Sequence, residues 1–235
     1  MKFNHYISLV GLLTVTLTQA QHQINIDATL IPELRTITIE QELVYKNDSD
    51  SILHEIYLND WGNSFSSKTT PLGKRFSENY QSSFHFEKNK NRGHSNIISI
   101  NNNTKKPLVW SRGDEVDIIR VQLDTNLLPG ETCILKMEYH IILPDDKFTK
   151  YGITKSGDFK IRYWYIAPAV FDGEWNVYSN KDLNDSYLNP TNFNIKFHTP
   201  YNFNLISDLD LVSEITENKI KTTQLKGENR MQVKL

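Results

Sequence analysis

Apolar and polar residues alternate along most of this chain, and this is the period of a half-buried β-strand. The clearest stretch is residues 133–143, where every second residue from Cys133 to Leu143 is apolar. Similar strands are predicted at residues 24–30, 34–45 and 52–58, the start of a β-meander, and no amphipathic helix of useful length is predicted. The sequence therefore predicts an all-β fold, an antiparallel β-sandwich or saddle-like sheet domain of many short strands.

Residues 62–106 break this pattern, because Ser, Asn, Lys and Gly dominate there. Short apolar islands remain at residues 84–86 and 97–100. We expect a long surface loop insertion that carries one or two short strands.

The chain has 235 residues, of which 38% are hydrophobic, so it is long enough for one large β domain or two small ones. The formal net charge of -2 argues against a nucleic-acid partner, since phosphate binding depends on clustered Lys and Arg. The single cysteine, Cys133, cannot form an internal disulfide, and its place on an apolar strand face predicts a buried, inert thiol.

The N-terminus resembles a secretory signal peptide at residues 1–20. It has the charged Lys2, an apolar run over residues 7–17, and small residues at Thr18 and Ala20. The run is too short to span a bilayer, and no later segment approaches transmembrane length. We expect cleavage near Ala20 and export of residues 21–235 to the periplasm, the cell surface or the medium.

Residues 159–175 contain six aromatic residues in seventeen positions. The first half alternates, which predicts a strand with Tyr163 and Tyr165 on one face and Trp164 on the other. Asp172, Gly173 and Glu174 follow as a turn. The two carboxylates could line a ligand site beside the aromatic residues, whose alternative role is packing in a β core.

The chain resembles, in order and spacing of its motifs, the N-terminal β domain of secreted bacterial zinc aminopeptidases of the aminopeptidase N family. The most specific motif is Trp-Tyr-Ile-Ala-Pro-Ala-Val-Phe-Asp at residues 164–172, with Trp175 after it. Weaker matches lie at residues 26–30, 36–47, 58–61 and 127–144. The resemblance implies a domain that packs on a catalytic domain of the same polypeptide and forms one wall of its cleft for a peptide substrate.

Zinc chemistry is not expected in this chain. The family holds zinc with two histidines one helical turn apart. Here the only His-Glu pair, at His54 and Glu55, has Leu58 where the second histidine would stand, and it lies in a predicted strand. No catalytic or metal-binding residue is therefore predicted, the chain should be inactive alone, and zinc is expected only in a missing catalytic domain. Residues 231–235 resemble a strand cut short, so we expect a truncated domain.

The resemblance makes five residues candidates for the substrate cleft: Tyr163, Trp164, Tyr165, Asp172 and Glu174. At the position of Tyr163 the family has a Gln or Glu that helps hold the α-amine of the substrate. A phenol carries no charge near neutral pH, so the resemblance does not extend to this contact.

A second hypothesis is a stand-alone secreted binding module for sugar or peptide ligands. It requires Trp164 and Trp175 to share one open surface. The first hypothesis instead requires an exposed apolar or aromatic patch for the catalytic domain.

Overall fold

The computed structural model describes residues 22–113, 115–182 and 186–235. The predicted signal peptide lies outside the described residues. The described residues include the short helices α1 (Pro71–Glu78) and α2 (Ser82–His85). The strands are β1 (His22–Ile31), β2 (Thr36–Lys46), β3 (Leu53–Asn59), β4 (His94–Asn102), β5 (Trp110–Arg112), β6 (Ile118–Leu127), β7 (Thr132–Ile142), β8 (Gly152–Ile153), β9 (Phe159–Lys160), β10 (Ala167–Pro168), β11 (Val170–Asp172), β12 (Glu174–Asn176), β13 (Thr191–Pro200), β14 (Asp210–Glu217) and β15 (Ile220–Arg230).

The larger sheet has seven strands in the order β14-β15-β13-β1-β2-β7-β4. Burial alternates along β1, β2, β7 and β13, so that one face of each strand lies in the core and the other carries polar residues. The sheet is mixed, because β1 runs parallel to β13 while its other neighbour, β2, is antiparallel.

A second, four-stranded sheet, in the order β10-β3-β6-β5, packs on the apolar face of the first. Ile56 and Leu58 of β3 and Ile119 and Val121 of β6 are fully buried between the layers. The two layers confirm the predicted all-β sandwich-like domain.

The prediction of a β-meander over residues 24–58 is wrong, because β3 leaves the sheet that contains β1 and β2. The second edge of β2 is paired along its whole length with β7. The buried side chain of Asn47 donates hydrogen bonds to the carbonyls of Ser51 (2.8 Å) and Leu127 (3.1 Å). This contact fixes the turn that carries the chain from one layer to the other.

The prediction of a loop insertion with one or two short strands over residues 62–106 is confirmed in part. The island at 97–100 forms a strand as predicted and belongs to β4, an edge of the large sheet beside β7, whereas the island at 84–86 lies at helix α2. Helix α1, which was not predicted, begins at a Thr70 cap whose hydroxyl accepts a hydrogen bond from the Gly73 amide at 3.1 Å. Its Leu72 and Phe76, four residues apart, are buried in the common core.

The final hairpin turns at Asn218 and Lys219, both with positive φ, as tight two-residue hairpin turns require. Cys133 is half-buried, and burial raises the pKa of its thiol to about 12. Within the described ranges, no helix is long and apolar enough to cross a membrane.

A buried acidic corner joins the two layers after β3. Asp60 is 1% exposed, and its carboxylate accepts a hydrogen bond from Ser95 Oγ and one from Arg112 Nη2 at 2.5 Å. Its backbone amide donates to the Asp117 carbonyl at 2.8 Å. Burial raises the pKa of Asp60 to about 6, since the loss of hydration outweighs the contacts with Arg112 and Ser95.

Stability should therefore depend on the ionisation of Asp60. Its folded-state pKa of about 6 lies above the ordinary 3.8. Between these two values the folded chain binds more protons than the unfolded chain, so the folded state loses stability as pH rises. The advantage of the natural chain over Asp60→Asn in free energy of unfolding should shrink by about 1–3 kcal/mol from about pH 4 to about pH 7. Urea unfolding at several pH values measures this, with the exposed Asp124→Asn as the control. An advantage that grows with pH would mean that Arg112 dominates instead.

Candidate functional site

The aromatic segment, residues 159–175, does not form the predicted continuous strand. Only β9, β10, β11 and β12 are extended, and residues 161–166 run irregularly between the two layers. Tyr163 has a φ of 57°, in the left-handed region that bulky residues rarely adopt. The alternation was misleading because Tyr163, Trp164 and Tyr165 are all buried, which leaves no solvent-facing side.

A buried polar contact fixes the middle of the segment. Gln41 Nε2 donates to the Ile166 carbonyl at 2.6 Å, and the Ile166 amide donates to Tyr139 Oη at 3.1 Å and Gln41 Oε1 at 3.3 Å. The Tyr139 hydroxyl donates in turn to Gln41 Oε1. Because unpaired backbone groups in a core are costly, this contact determines where the chain passes between the sheets.

Trp164 and Tyr165 belong to the core of the domain. Trp164 is 0% exposed, stacks edge-to-face on Phe197 at 5.5 Å and donates from Nε1 to the Val233 carbonyl at 3.3 Å. Tyr165 packs edge-to-face on Phe193 at 5.4 Å, and burial raises the pKa of its phenol. These rings position the backbone of the segment, and they offer little surface to a ligand.

Tyr163 is 8% exposed and lies edge-on to Trp61, with ring centroids 5.9 Å apart. Burial raises the pKa of its phenol, so the side chain is neutral at physiological pH. The Arg162 guanidinium lies 4.5 Å from the centroid of the Tyr163 ring and 5.1 Å from that of Tyr151. The position that resembles an amine-holding residue is therefore a neutral phenol covered by a cation.

A small cavity adjoins Tyr163. Its volume is about 20 Å³, enough for a group the size of one water molecule. Asn59 Oδ1 and Trp61 Nε1, both on lining residues, are buried without a hydrogen-bond partner among the described residues. The cavity cannot accommodate an amino-acid side chain, so a peptide cleft at this place needs a second wall.

Asp172 and Glu174 are exposed beside the tip of the β11–β12 hairpin, and Gly173 between them has a φ of 72°. This confirms the predicted turn. Across the hairpin, Phe171 and Trp175 pack edge-to-face at 5.2 Å. Trp175 is half-buried and Trp164 is fully buried. The two tryptophans therefore do not share one open surface, and this prediction of the binding-module hypothesis is wrong.

The structure thus brings Tyr163, Trp164 and Tyr165 together in the interior and leaves the two carboxylates on a separate hairpin. His54 and Glu55 lie on β3, as the sequence predicted. In the described part of the chain, His, Cys, Asp and Glu side chains form no group of three or more that could hold a metal ion.

Sequence reasoning did not identify Gln41, Tyr139 or Arg162 as part of this region. A signal for Gln41 was present, since it interrupts the apolar series Ile37, Ile39, Leu43 and Tyr45 on one face of β2. A polar residue in such a series requires a buried partner. Nothing in the local sequence indicates that the partner is Ile166.

The fold is that of known metallopeptidase structures. The chain matches a mutant two-domain M1 zinc metallopeptidase bound to L-arginine, with a TM-score of 0.51 and 13% identity over 92% of this chain. It matches an M1 zinc metallopeptidase from Deinococcus radiodurans with a TM-score of 0.50 and 12% identity over 93%. The chain spans only 43% and 42% of those proteins. No protein-family model and no curated protein matches the sequence.

These structural neighbours are M1 zinc metallopeptidases, the class to which the sequence motifs also point. At such low identity the similarity establishes the shared architecture. It makes this chain an all-β unit with the fold found in two-domain enzymes of that class.

Gly62 provides a test of how tightly the segment is held. A Cβ at this position would lie 2.8 Å from the Tyr163 carbonyl oxygen and 3.4 Å from Ile141 Cδ1. Gly62→Ala should therefore lower the free energy of unfolding by about 1–3 kcal/mol, measured by urea unfolding. At Gly113 the added Cβ has nothing within 4 Å, so Gly113→Ala should change stability by less than about 0.5 kcal/mol. Equal stabilities of the two variants would contradict the close approach of Gly62 to Tyr163.

Proposed function

We propose that residues 21–235 form the non-catalytic N-terminal β domain of an exported, aminopeptidase-like zinc metallopeptidase. The domain packs on a catalytic domain of the same polypeptide and forms one wall of its peptide cleft, and zinc is held by that other domain. The observation that carries the proposal is the backbone similarity to a two-domain M1 enzyme over 92% of this chain but only 43% of that one. The order of sequence motifs supports the same assignment.

Exposed apolar side chains beside the aromatic segment support a docked partner. Met231 is 46% exposed, and the next residue, Gln232, contacts Arg162. Tyr187 is 48% exposed, and its amide donates to the hydroxyl of Tyr178, a ring that packs on Trp61. The chain neighbours of these two residues, Gln232 and Leu188, line the same small cavity, and exposed apolar groups near one place fit a surface that meets a partner.

The five cleft candidates then have different roles. Trp164 and Tyr165 act through packing, by holding the backbone of the wall in place. Tyr163 contributes a neutral phenol, and Asp172 and Glu174 are the carboxylates of the segment that a peptide could reach. A stand-alone binding module has no comparable support, because Trp164 is buried.

Export is the part of the proposal that depends on residues 1–20. Their charged start, apolar run and small residues before Gln21 support a cleaved signal peptide. The expected destinations are the periplasm, the cell surface and the medium.

The function is tested by comparing this chain with the longer polypeptide that its gene is expected to encode. With zinc present, purified residues 21–235 should not hydrolyse aminoacyl p-nitroanilides, because the chain has no His-Glu-x-x-His motif. The longer polypeptide should hydrolyse them, and a chelator should abolish the activity. Chelator-sensitive hydrolysis by residues 21–235 alone, or a reading frame that ends at Leu235, would overturn the proposal.

A further inference from the structure

We propose that Arg162 is the centre of a carboxylate-binding site on the wall formed by the aromatic segment. The guanidinium lies against two tyrosine rings and still has hydrogen-bond donors that no described residue uses. The ligand class is a peptide carboxylate, either an acidic side chain or the C-terminal carboxylate of a short peptide. Assigning that carboxylate to a substrate rests on the proposed function, whereas the site itself does not.

The neighbours of Arg162 orient it without neutralising it. Its Nε donates to Gln232 Oε1 at 2.9 Å, and its Nη1 donates to Tyr151 Oη at 3.1 Å. Both acceptors are uncharged. Nη2 donates no hydrogen bond to any described residue, so part of the five-donor fork is unused.

No carboxylate of the described residues lies within 4 Å of an Arg162 nitrogen, although Arg162 is half-buried. Among the described residues, Asp182 acts on the phenol of Tyr163 and Asp208 on that of Tyr165. By contrast, Arg35, Arg112 and Arg120 each form an ion pair with their own carboxylate at 2.5 Å. A partly desolvated cation without a close counter-ion favours an anion from outside.

The backbone supports the same conclusion. Tyr163 adopts a φ of 57°, a strained conformation for an aromatic residue, and this conformation accompanies the placement of its ring beneath Arg162. Strained residues persist where the surrounding structure over-determines them, often at binding sites. Here the Gly62 contact and the Ile166 hydrogen bonds on either side provide that constraint.

The charge of the site discriminates between ligands. An ammonium near Arg162 would be repelled, whereas a planar carboxylate matches the guanidinium fork in charge and geometry. The two tyrosine rings stabilise the cation and leave Nη2 for the anion. The wall therefore has the opposite sign from one that anchors an α-amine.

The test is a titration of the purified chain with N-acetyl-L-glutamate, followed by NMR at the Arg162 Nε–H and Trp61 indole signals. We expect saturable shifts with a Kd of about 1–10 mM, weakening as salt is added. Arg162→Gln should weaken binding by about tenfold or more, and Arg162→Lys, which keeps the charge but loses the fork, by several-fold. Arg120→Gln, which removes an exposed arginine that has its own partner, Glu55, is the matched control and should retain the affinity.

N-acetyl-L-glutaminamide and glycinamide, which have no carboxylate, should produce no saturable shift. Absence of saturation with the glutamate probe, or equal affinity in Arg162→Gln and the natural chain, would overturn the site. Because the chain is assayed without a catalytic domain, this failure is separate from failure of the proposed function. If Arg162→Gln does not fold, unchanged affinity in folded Arg162→Lys together with binding of the neutral probe overturns the site equally.

The source of the natural carboxylate is resolved by repeating the titration on the longer polypeptide. A substrate-binding site remains open there, so the probe should bind and Arg162→Gln should raise KM selectively for peptides that carry a carboxylate. If a carboxylate of the catalytic domain occupies the site instead, the probe binds the isolated chain and is excluded from the longer one. Both results support a carboxylate site, and the second identifies the domain interface as its role.

Discussion

The hydrogen bonds between the Gln41 side chain and both backbone groups of Ile166 are the constraint on which the rest of the region depends. A chain that crosses the core in an irregular conformation leaves its amides and carbonyls without strand partners, and each unpaired group would cost free energy. Gln41 supplies a donor and an acceptor at the centre of an apolar sheet face, and the Tyr139 hydroxyl completes the set. The position of residues 161–166 follows from this satisfied network rather than from strand pairing.

Once the position of Ile166 is fixed, few backbone paths remain for the residues that precede it. Trp164 and Tyr165 enter the core on either side of the crossing, where edge-to-face contacts with Phe197 and Phe193 hold them. The chain between these rings and β9 must then reverse within a few residues, and the left-handed Tyr163 is the place where it does so. A segment that appears in the sequence as a ligand-binding aromatic cluster is therefore mainly a framework. Within residues 161–166, the side chain that this framework leaves available for chemistry is Arg162.

The limits of prediction from sequence follow from the same physics. Strands such as β1, β2 and β7 have one buried and one exposed face, so a period of two identifies them. Sheet membership is not encoded in that period, and β3 alternates as its neighbours do although it belongs to the other layer. The parallel pairing of β1 with β13 joins residues far apart in sequence, which no local pattern specifies. The strand predicted over residues 161–166 is wrong for a third reason. Alternation predicts a strand only where one face of that strand meets water.

The fold resembles that of M1 metallopeptidases, but the charges around Tyr163 and Arg162 differ from those that an amine-binding site needs. Holding an α-amine requires negative charge or strong acceptors, yet burial keeps Tyr163 neutral and Arg162 lies over its ring. The exposed carboxylates of Asp172 and Glu174 lie on the hairpin beyond β10, so amine recognition by this domain would have to move there. The fold is shared with two-domain enzymes of this class, whereas the charge of this region depends on Arg162 and the uncharged groups that contact it.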